Sequence, residues 1–217
     1  MPSPRAVIFD MDELLIQSAP IWRAAEQALC RAMGKELTPE AEIQCKGMNA
    51  FDVARTLHAL LGPAMSVEAC QKIMRSAVIE AFSGLSGRLA PMPGAVSLVR
   101  RLHGRLPLAV ASGSPLPAIE AALERIGIRS CMQAAISSES VVRGKPQPDV
   151  FLAAAARLGV APQDCLVFED SLAGAQAAKA AGMRCYAVPS ADAAEIRRLA
   201  DATFDSLEEV TEAHLFS

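Results

Sequence analysis

Asp10 and Asp12 stand one residue apart after a short apolar run, Ala6 to Phe9, in the stretch AVIFDMDELL. Two further apolar runs end in residues of comparable reactivity: Ser112-Gly113-Ser114 after LAVA and Glu169-Asp170 after CLVF, while a loop beyond another run carries Gly144-Lys145-Pro146. Carboxylates converging on one place repel one another, and such a cluster persists when a cation neutralises it. The candidate ligands Asp10, Asp12, Glu169 and Asp170 offer only oxygens, and no histidine or cysteine stands at these ends. That donor set favours Mg²⁺ over zinc, because Mg²⁺ keeps several waters and uses a few carboxylates together with a substrate phosphate. Phosphoryl transfer at a magnesium site is the chemistry these residues specify.

In that chemistry Asp10 is the nucleophile, since a carboxylate in line with phosphorus forms an aspartyl-phosphate and divides one hard displacement into two easier ones. Asp12 protonates the leaving oxygen and later deprotonates the attacking water. The Ser112 hydroxyl and the Gly113 amide, at a strand-to-helix junction, hold phosphate oxygens. Lys145 supplies fixed positive charge to the phosphoryl group and to Asp10. Taken singly, each residue has an ordinary reading: a turn for the Asp-x-Asp pair, an N-cap for Ser112, a solvated loop lysine for Lys145, a polar helix start for Glu169-Asp170. Capping alone does not require these signals to fall in this order at strand ends or the loops beyond them.

The elements that must position these groups follow from the pattern. Arg5–Asp10, Leu106–Ser112, Met132–Ile136, Cys165–Asp170 and Met183–Val188 are short apolar runs of the kind found in buried parallel strands. Helical patterns alternate with most of them, bounded by Pro93, by Pro115 and Gly127, and by Ser171 and Gly182. This predicts a doubly wound, Rossmann-like α/β core with a parallel sheet, whose ligands bind beyond the carboxyl ends of the strands. About 95 residues separate the first two strands, far more than a crossover needs. Helical patterns at Ala19–Met33, Asn49–Leu61 and Val67–Phe82 make the excess an inserted helical bundle, with Ser83–Gly94 as its return linker. The expected division is a core of 1–16 and 85–217 and a helical cap of 17–84.

Composition narrows the class. The 217 residues are 52% hydrophobic, which fits an ordered globular chain. Lysine and arginine (21) nearly balance aspartate and glutamate (24), and no basic block would follow a nucleic-acid backbone. No run is long and apolar enough for a membrane span, and Asp10 interrupts the first apolar segment too early for a secretory signal. A cytoplasmic protein, a monomer or weak dimer acting on a small phosphorylated metabolite, is expected. Cys30, Cys45, Cys70, Cys131, Cys165 and Cys185 lack C-x-x-C pairing and read as reduced core residues.

These segments closely resemble the haloacid dehalogenase-like hydrolase superfamily, in particular its phosphatases with a small helical cap after the first strand. IFDMDELL, LAVASGS, GKPQPDVF and VFEDSLAGAQAAKAAGM resemble its four motifs in order. The resemblance implies Asp10 as nucleophile, Asp12 as acid/base and backbone-carbonyl metal ligand, Ser112 and Lys145 as phosphate binders, and Glu169 and Asp170 as metal-side acids. It also implies a turn and hairpin over Met11–Pro20 that opens and closes the cap, and cap residues that select the substrate, among which Lys46, Asn49 and Arg55 are candidates. The branch closest in pattern acts on sugar phosphates and includes β-phosphoglucomutase. Two departures stand out: Glu13 replaces the usual glycine after the second aspartate, and Gln17-Ser18-Ala19-Pro20 replaces a more acidic hinge.

Mutases of that branch carry a histidine and an arginine at the positions held here by Trp22 and Ala50, so their loss favours hydrolysis over a phosphomutase. A haloacid dehalogenase would leave Asp12 unexplained. A receiver-type signalling domain is about half this length and lacks the insert. A catalytically dead phospho-ligand sensor is the remaining alternative.

Overall fold

Strand β1 (Ala6–Phe9) pairs on one side with β2 (Leu108–Ser112) and on the other with β4 (Cys165–Glu169). With β3 (Ala134–Ser137), β5 (Arg184–Ala187) and β6 (Ala202–Thr203) they form a six-stranded sheet in the order β3-β2-β1-β4-β5-β6, and every pairing is parallel. The computed structural model describes residues 3–62, 65–84, 89–191 and 193–216. All residues of β1, β2 and β4 are buried, as strands covered by helices on both faces require. The sequence reading held five strands; the sixth has only two residues, too short to leave an apolar pattern.

The two faces of the sheet differ in side-chain size. Val7, Phe9, Leu166, Phe168 and Tyr186 share one, with the Phe9 and Phe168 rings stacked at 5.4 Å. Ala6, Ala109, Ala111, Cys165 and Cys185 share the other with the larger Ile8 and Val167. Helices α7 (Asp149–Leu158) and α8 (Leu172–Ala180) lie there through Ala154, Ala155, Ala175, Ala177 and Ala178. Small residues on both partners allow close approach, which accounts for the alanine-rich stretches.

Between β1 and β2 the chain forms α1 (Ala19–Ala32), α2 (Pro39–Cys45), α3 (Ala50–Leu61) and α4 (Val67–Gly84) before α5 (Ala95–Leu102) restores the alternation. α4 packs against both α1 and α3, burying Leu29, Leu57, Met74, Val78 and Phe82. The seven residues of α2 carry too little periodicity to predict a helix, although Thr38 accepting from the Ala41 amide, followed by Pro39, is a regular helix start. The outgoing and returning connections run side by side: the Gln17 amide donates to Ala90 O at 2.9 Å and the Met92 amide to Leu15 O at 3.0 Å. Part of the expected return linker, 85–88, lies outside the described residues, and with it the 84/85 boundary. The chain continues through α6 (Leu116–Arg125), α9 (Ala193–Leu199) and α10 (Glu212–Phe216). All six cysteines are free. Among the described residues no helix is long and apolar enough to cross a membrane.

Candidate active site

The strand order reverses at β1, so a crevice opens beyond the carboxyl ends of β1 and its neighbours. Phe9 and Phe168 are register partners, and the Asp10 amide donates to Phe168 O at 2.9 Å, which sets Asp10 beside Glu169. Lys145, from the loop after β3, reaches across with its ammonium 2.5 Å from Asp10 Oδ1 and in contact with Glu169 Oε1. Asp10, Glu169 and Asp170 each offer a carboxylate oxygen within 4.8 Å of the others, and all three are buried. The sequence pattern predicts this convergence from strand ends and, for Lys145, from a loop beyond one.

Charge of one sign confined in this way shifts its protonation. Burial, and then the charges of Glu169, Asp170 and Asp12, drive Asp10 well above the usual carboxylate range against the pull of Lys145. Burial and Glu169 likewise push Asp170 up to about 8, against the Ser190 hydroxyl, which donates to its Oδ2 at 2.6 Å. Burial opposes the charge on Lys145, but Asp10 and Glu169 outweigh it and hold the ammonium above lysine's ordinary range. A buried oxygen-only set with this surplus of negative charge fits a hard divalent ion of the Mg²⁺ kind.

Glu169 is the most tightly seated of the acids. Its Oε2 accepts from the Asp170 and Ser171 amides, both at 3.1 Å, and from the Ser171 hydroxyl at 3.0 Å. A Cβ on Gly174 would lie 1.9 Å from this carboxyl group, so the first turn of α8 needs glycine there. The same Ser171 hydroxyl caps α8 by accepting from the Gly174 amide at 3.1 Å, as the sequence suggested.

Asp12 is held apart from that group. Its Oδ2 accepts from the hydroxyls of Ser112 and Ser114, each at 2.9 Å, and its Oδ1 from the Trp22 indole N–H at 2.8 Å. The Asp12 carboxylate is therefore absent from the acidic cluster of Asp10, Glu169 and Asp170. Ser112 differs from its expected place: its hydroxyl donates to Asp12, accepts from the Ser114 amide at 3.0 Å, and does not line the cavity. In this geometry it orients Asp12 instead of facing a phosphate, whereas Gly113 does face the cavity.

A cavity of about 470 Å³ separates this edge from the inserted helices, a size suited to a small ligand. Asp10, Asp12, Lys145 and Asp170 line its inner end, and Trp22, Glu26, Lys46 and Asn49 line it from the insert. Asn49 caps α3, its Oδ1 accepting from the Phe51 and Asp52 amides at 3.0 Å and its Nδ2 donating to Asp52 at 2.6 Å. It also presses on the core: a Cβ on Gly144 would come within 2.7 Å of its Nδ2. Arg55 is engaged by Asp52 and does not line the cavity. Arg75 of α4 grips Glu139 with two bonds, at 2.8 and 3.2 Å, tying the insert to the loop after β3.

Several participants escaped the sequence reading. The Ser114 hydroxyl holds Asp12 beside that of Ser112, a role its place in SGS does not signal. The Ser138 hydroxyl, buried at the cavity wall, is unpaired among the described side-chain atoms, and no sequence signal marks it. Glu13 has φ 57, the left-handed conformation glycine normally supplies at this turn. Its carboxylate accepts from the Ser18 and Ala19 amides, both at 2.7 Å, so it caps α1 where the Ser18 side chain does not. Those bonds explain why a charged residue is retained despite roughly 1–2 kcal/mol of backbone cost.

Comparison with known proteins points the same way. The family described as haloacid dehalogenase-like hydrolase matches residues 4–182. Hexitol phosphatase B of Escherichia coli (strain K12) is 35% identical over 219 residues, covering 97% of each chain. Fructose-1-phosphate phosphatase YqaB of Escherichia coli (strain K12) is 34% identical over 193 residues, covering 89% of this chain and 96% of its own. Among solved structures, CbbY from Rhodobacter sphaeroides in complex with phosphate superposes with a TM-score of 0.82 at 25% identity, covering 98% of this chain and 99% of that one.

Proposed function

The chain belongs to the haloacid dehalogenase-like hydrolase family, and from that premise we propose that it is a Mg²⁺-dependent phosphomonoesterase acting on a sugar phosphate or sugar-alcohol phosphate. The observation that carries this reading is the pairing of two aspartates in different hydrogen-bonding states one residue apart. Lys145 occupies one oxygen of Asp10 and the other is free of hydrogen bonds among the described residues, while Asp12 is oriented by three donors.

Asp10 attacks phosphorus as the bond to the ester oxygen breaks, and Asp12 gives that oxygen a proton. Asp12 then takes a proton from water as the water oxygen bonds to phosphorus and the bond to Asp10 breaks, releasing phosphate and restoring the Asp10 carboxylate and the protonated Asp12. Lys145 keeps Asp10 oriented and offsets charge on the phosphoryl oxygens. Asp10, Asp170 and the Asp12 carbonyl are the groups that would hold Mg²⁺, with Glu169 behind them; the ion supplies charge neutralisation on the phosphoryl oxygens. The helices of 17–84 act as the cap and keep bulk water from the aspartyl-phosphate.

A mutase must retain a second phosphate in the cavity. The position that would carry its arginine is Ala50, which is 1% exposed, and Trp22 occupies Asp12 itself. Both features support hydrolysis. Phosphate release from a panel of sugar and sugar-alcohol monophosphates, with Mg²⁺ and with a chelator, tests the proposal. Turnover is expected only with the metal and is abolished in Asp10→Asn; equal rates for wild type and variant would overturn it.

A further inference from the structure

Glu26 has a buried carboxylate with no assignment in the reaction. It lies on α1 four residues beyond Trp22, so both project from the same helix face, about 6 Å apart along the axis. The residue is only 5% exposed, yet it lines the cavity. Among the described residues its carboxylate has no hydrogen bond and no ion pair, although a buried acid ordinarily has both. Arg23, the cation beside it, pairs with Glu42 of α2 at 3.5 Å. A carboxylate that opens only onto a cavity and has no partner among the described residues is a group whose partners arrive with the ligand.

Resting on the phosphatase reading above, we propose that Glu26 is a specificity-determining residue that accepts hydrogen bonds from hydroxyl groups on the leaving half of the substrate. The geometry sets the order of groups along α1. Trp22 reaches Asp12, where the ester oxygen departs, and the next turn meets the part of the substrate a few bonds further out. A neutral polyhydroxyl chain satisfies Glu26 there. A second phosphate or a carboxylate placed at Glu26 itself would meet like charge where a hydroxyl meets an acceptor, while Arg23 and Lys46 are the cations on the same wall.

The surroundings make this preference pH-dependent. Burial foremost, then the charge of Glu42, push Glu26 up to about 7 against the opposing charge of Arg23. The other titratable groups here are Lys46 on the cavity wall and the Cys30 and Cys45 thiols; burial and then Glu26 raise both thiols, Cys45 to about 12, so neither contributes charge near neutrality. Hydroxyl donors bind the ionised carboxylate best, so preference for a polyhydroxyl ester strengthens as pH rises through about 7.

The test compares kcat/KM for fructose 1-phosphate and sorbitol 6-phosphate with that for p-nitrophenyl phosphate, which shares the phosphate but has no hydroxyls. In Glu26→Leu the ratio of sugar phosphate to aryl phosphate falls about 10- to 100-fold, mainly through KM, and Glu26→Gln recovers part of it. In wild type the ratio climbs from pH 6 to 8; in Glu26→Gln it is flat. An unchanged ratio, or a wild-type preference for glucosamine 6-phosphate over glucose 6-phosphate, would overturn the proposal. Calorimetric titration of fructose 1-phosphate into Asp10→Asn, with and without Glu26→Leu, separates the two readings. Glu26-dependent binding with no turnover by wild type sinks the phosphatase and keeps the subsite; turnover with Glu26-independent binding does the reverse.

Discussion

The two walls of the cavity are built on opposite plans. On the core side Asp10, Asp12, Lys145, Glu169 and Asp170 all have hydrogen-bond partners, and Glu169 is locked between Lys145 and the start of α8. On the cap side the side chains of Glu26 and Lys46 have neither hydrogen bonds nor ion pairs among the described residues, and Asn49 spends its side chain on capping α3. A preorganised wall costs nothing to rearrange at the moment of reaction, which suits chemistry common to many substrates. A wall with unspent hydrogen-bonding capacity leaves the ligand to complete it, which suits discrimination between substrates. On the proposed function, reaction and selectivity would fall to different parts of one chain, joined through Leu15–Gln17 and Ala90–Met92.

The same substitution on each wall is the sharpest way to break this contrast. Lys145→Met removes the cation bonded to Asp10 and Glu169, and kcat should fall by about 10²- to 10³-fold, the scale of losing a charge-stabilising donor. Lys46→Met should act far more weakly and through KM alone. Steady-state kinetics on one substrate decides it, and equal effects on kcat would dissolve the distinction between walls.

A smaller effect is expected in the stability of the metal-free protein. Asp170 is held at about 8 in the fold, above the ordinary value of 3.8, so between those limits the unfolded chain is ionised while the folded site keeps its proton. The folded state then binds more protons than the unfolded one, and its stability declines as pH rises across that window. Asp10 acts in the same direction. Melting temperatures in chelator should fall from pH 5 to 8, and millimolar Mg²⁺ should flatten that slope by binding the ionised site. A slope unaffected by Mg²⁺ would remove the cation from the acid cluster.

The contrast also explains what the sequence made legible. The core wall could be read because its residues end strands, and parallel strands in a doubly wound sheet can place their ends at only one edge. Asp10, Glu169 and Asp170 accordingly converge as expected, and Lys145 joins them from the loop beyond β3. The cap helices were readable from periodicity except for the short α2, but periodicity states which face is apolar, not which polar residue looks into a cavity. Glu26 sits within the buried set of α1 alongside Ile21, Ala25 and Leu29, and nothing local distinguishes it from a solvated glutamate. Ser112 shows the converse limit. Its position was legible but its hydroxyl direction was not, because Asp12 and Ser114 compete for it at distances set by the folded turn.

Trp22 offers the finest test, because it belongs to the cap by position and to the core by its bond. Its indole donates to Asp12 Oδ1 from one turn before Glu26, so neighbouring residues on one helix should fail differently. Trp22→Phe keeps the ring and deletes the donor, removing one of three hydrogen bonds that orient the acid/base group. The loss should be roughly 1–2 kcal/mol, about 5- to 30-fold, and should fall on kcat. Glu26→Leu should fall on KM and depend on the hydroxyls of the substrate. If Trp22→Phe changes KM for sugar phosphates while leaving kcat untouched, the indole serves the ligand and Asp12 is positioned by Ser112 and Ser114 alone. The boundary between the walls would then lie at Asp12, and all of α1 would belong to selectivity.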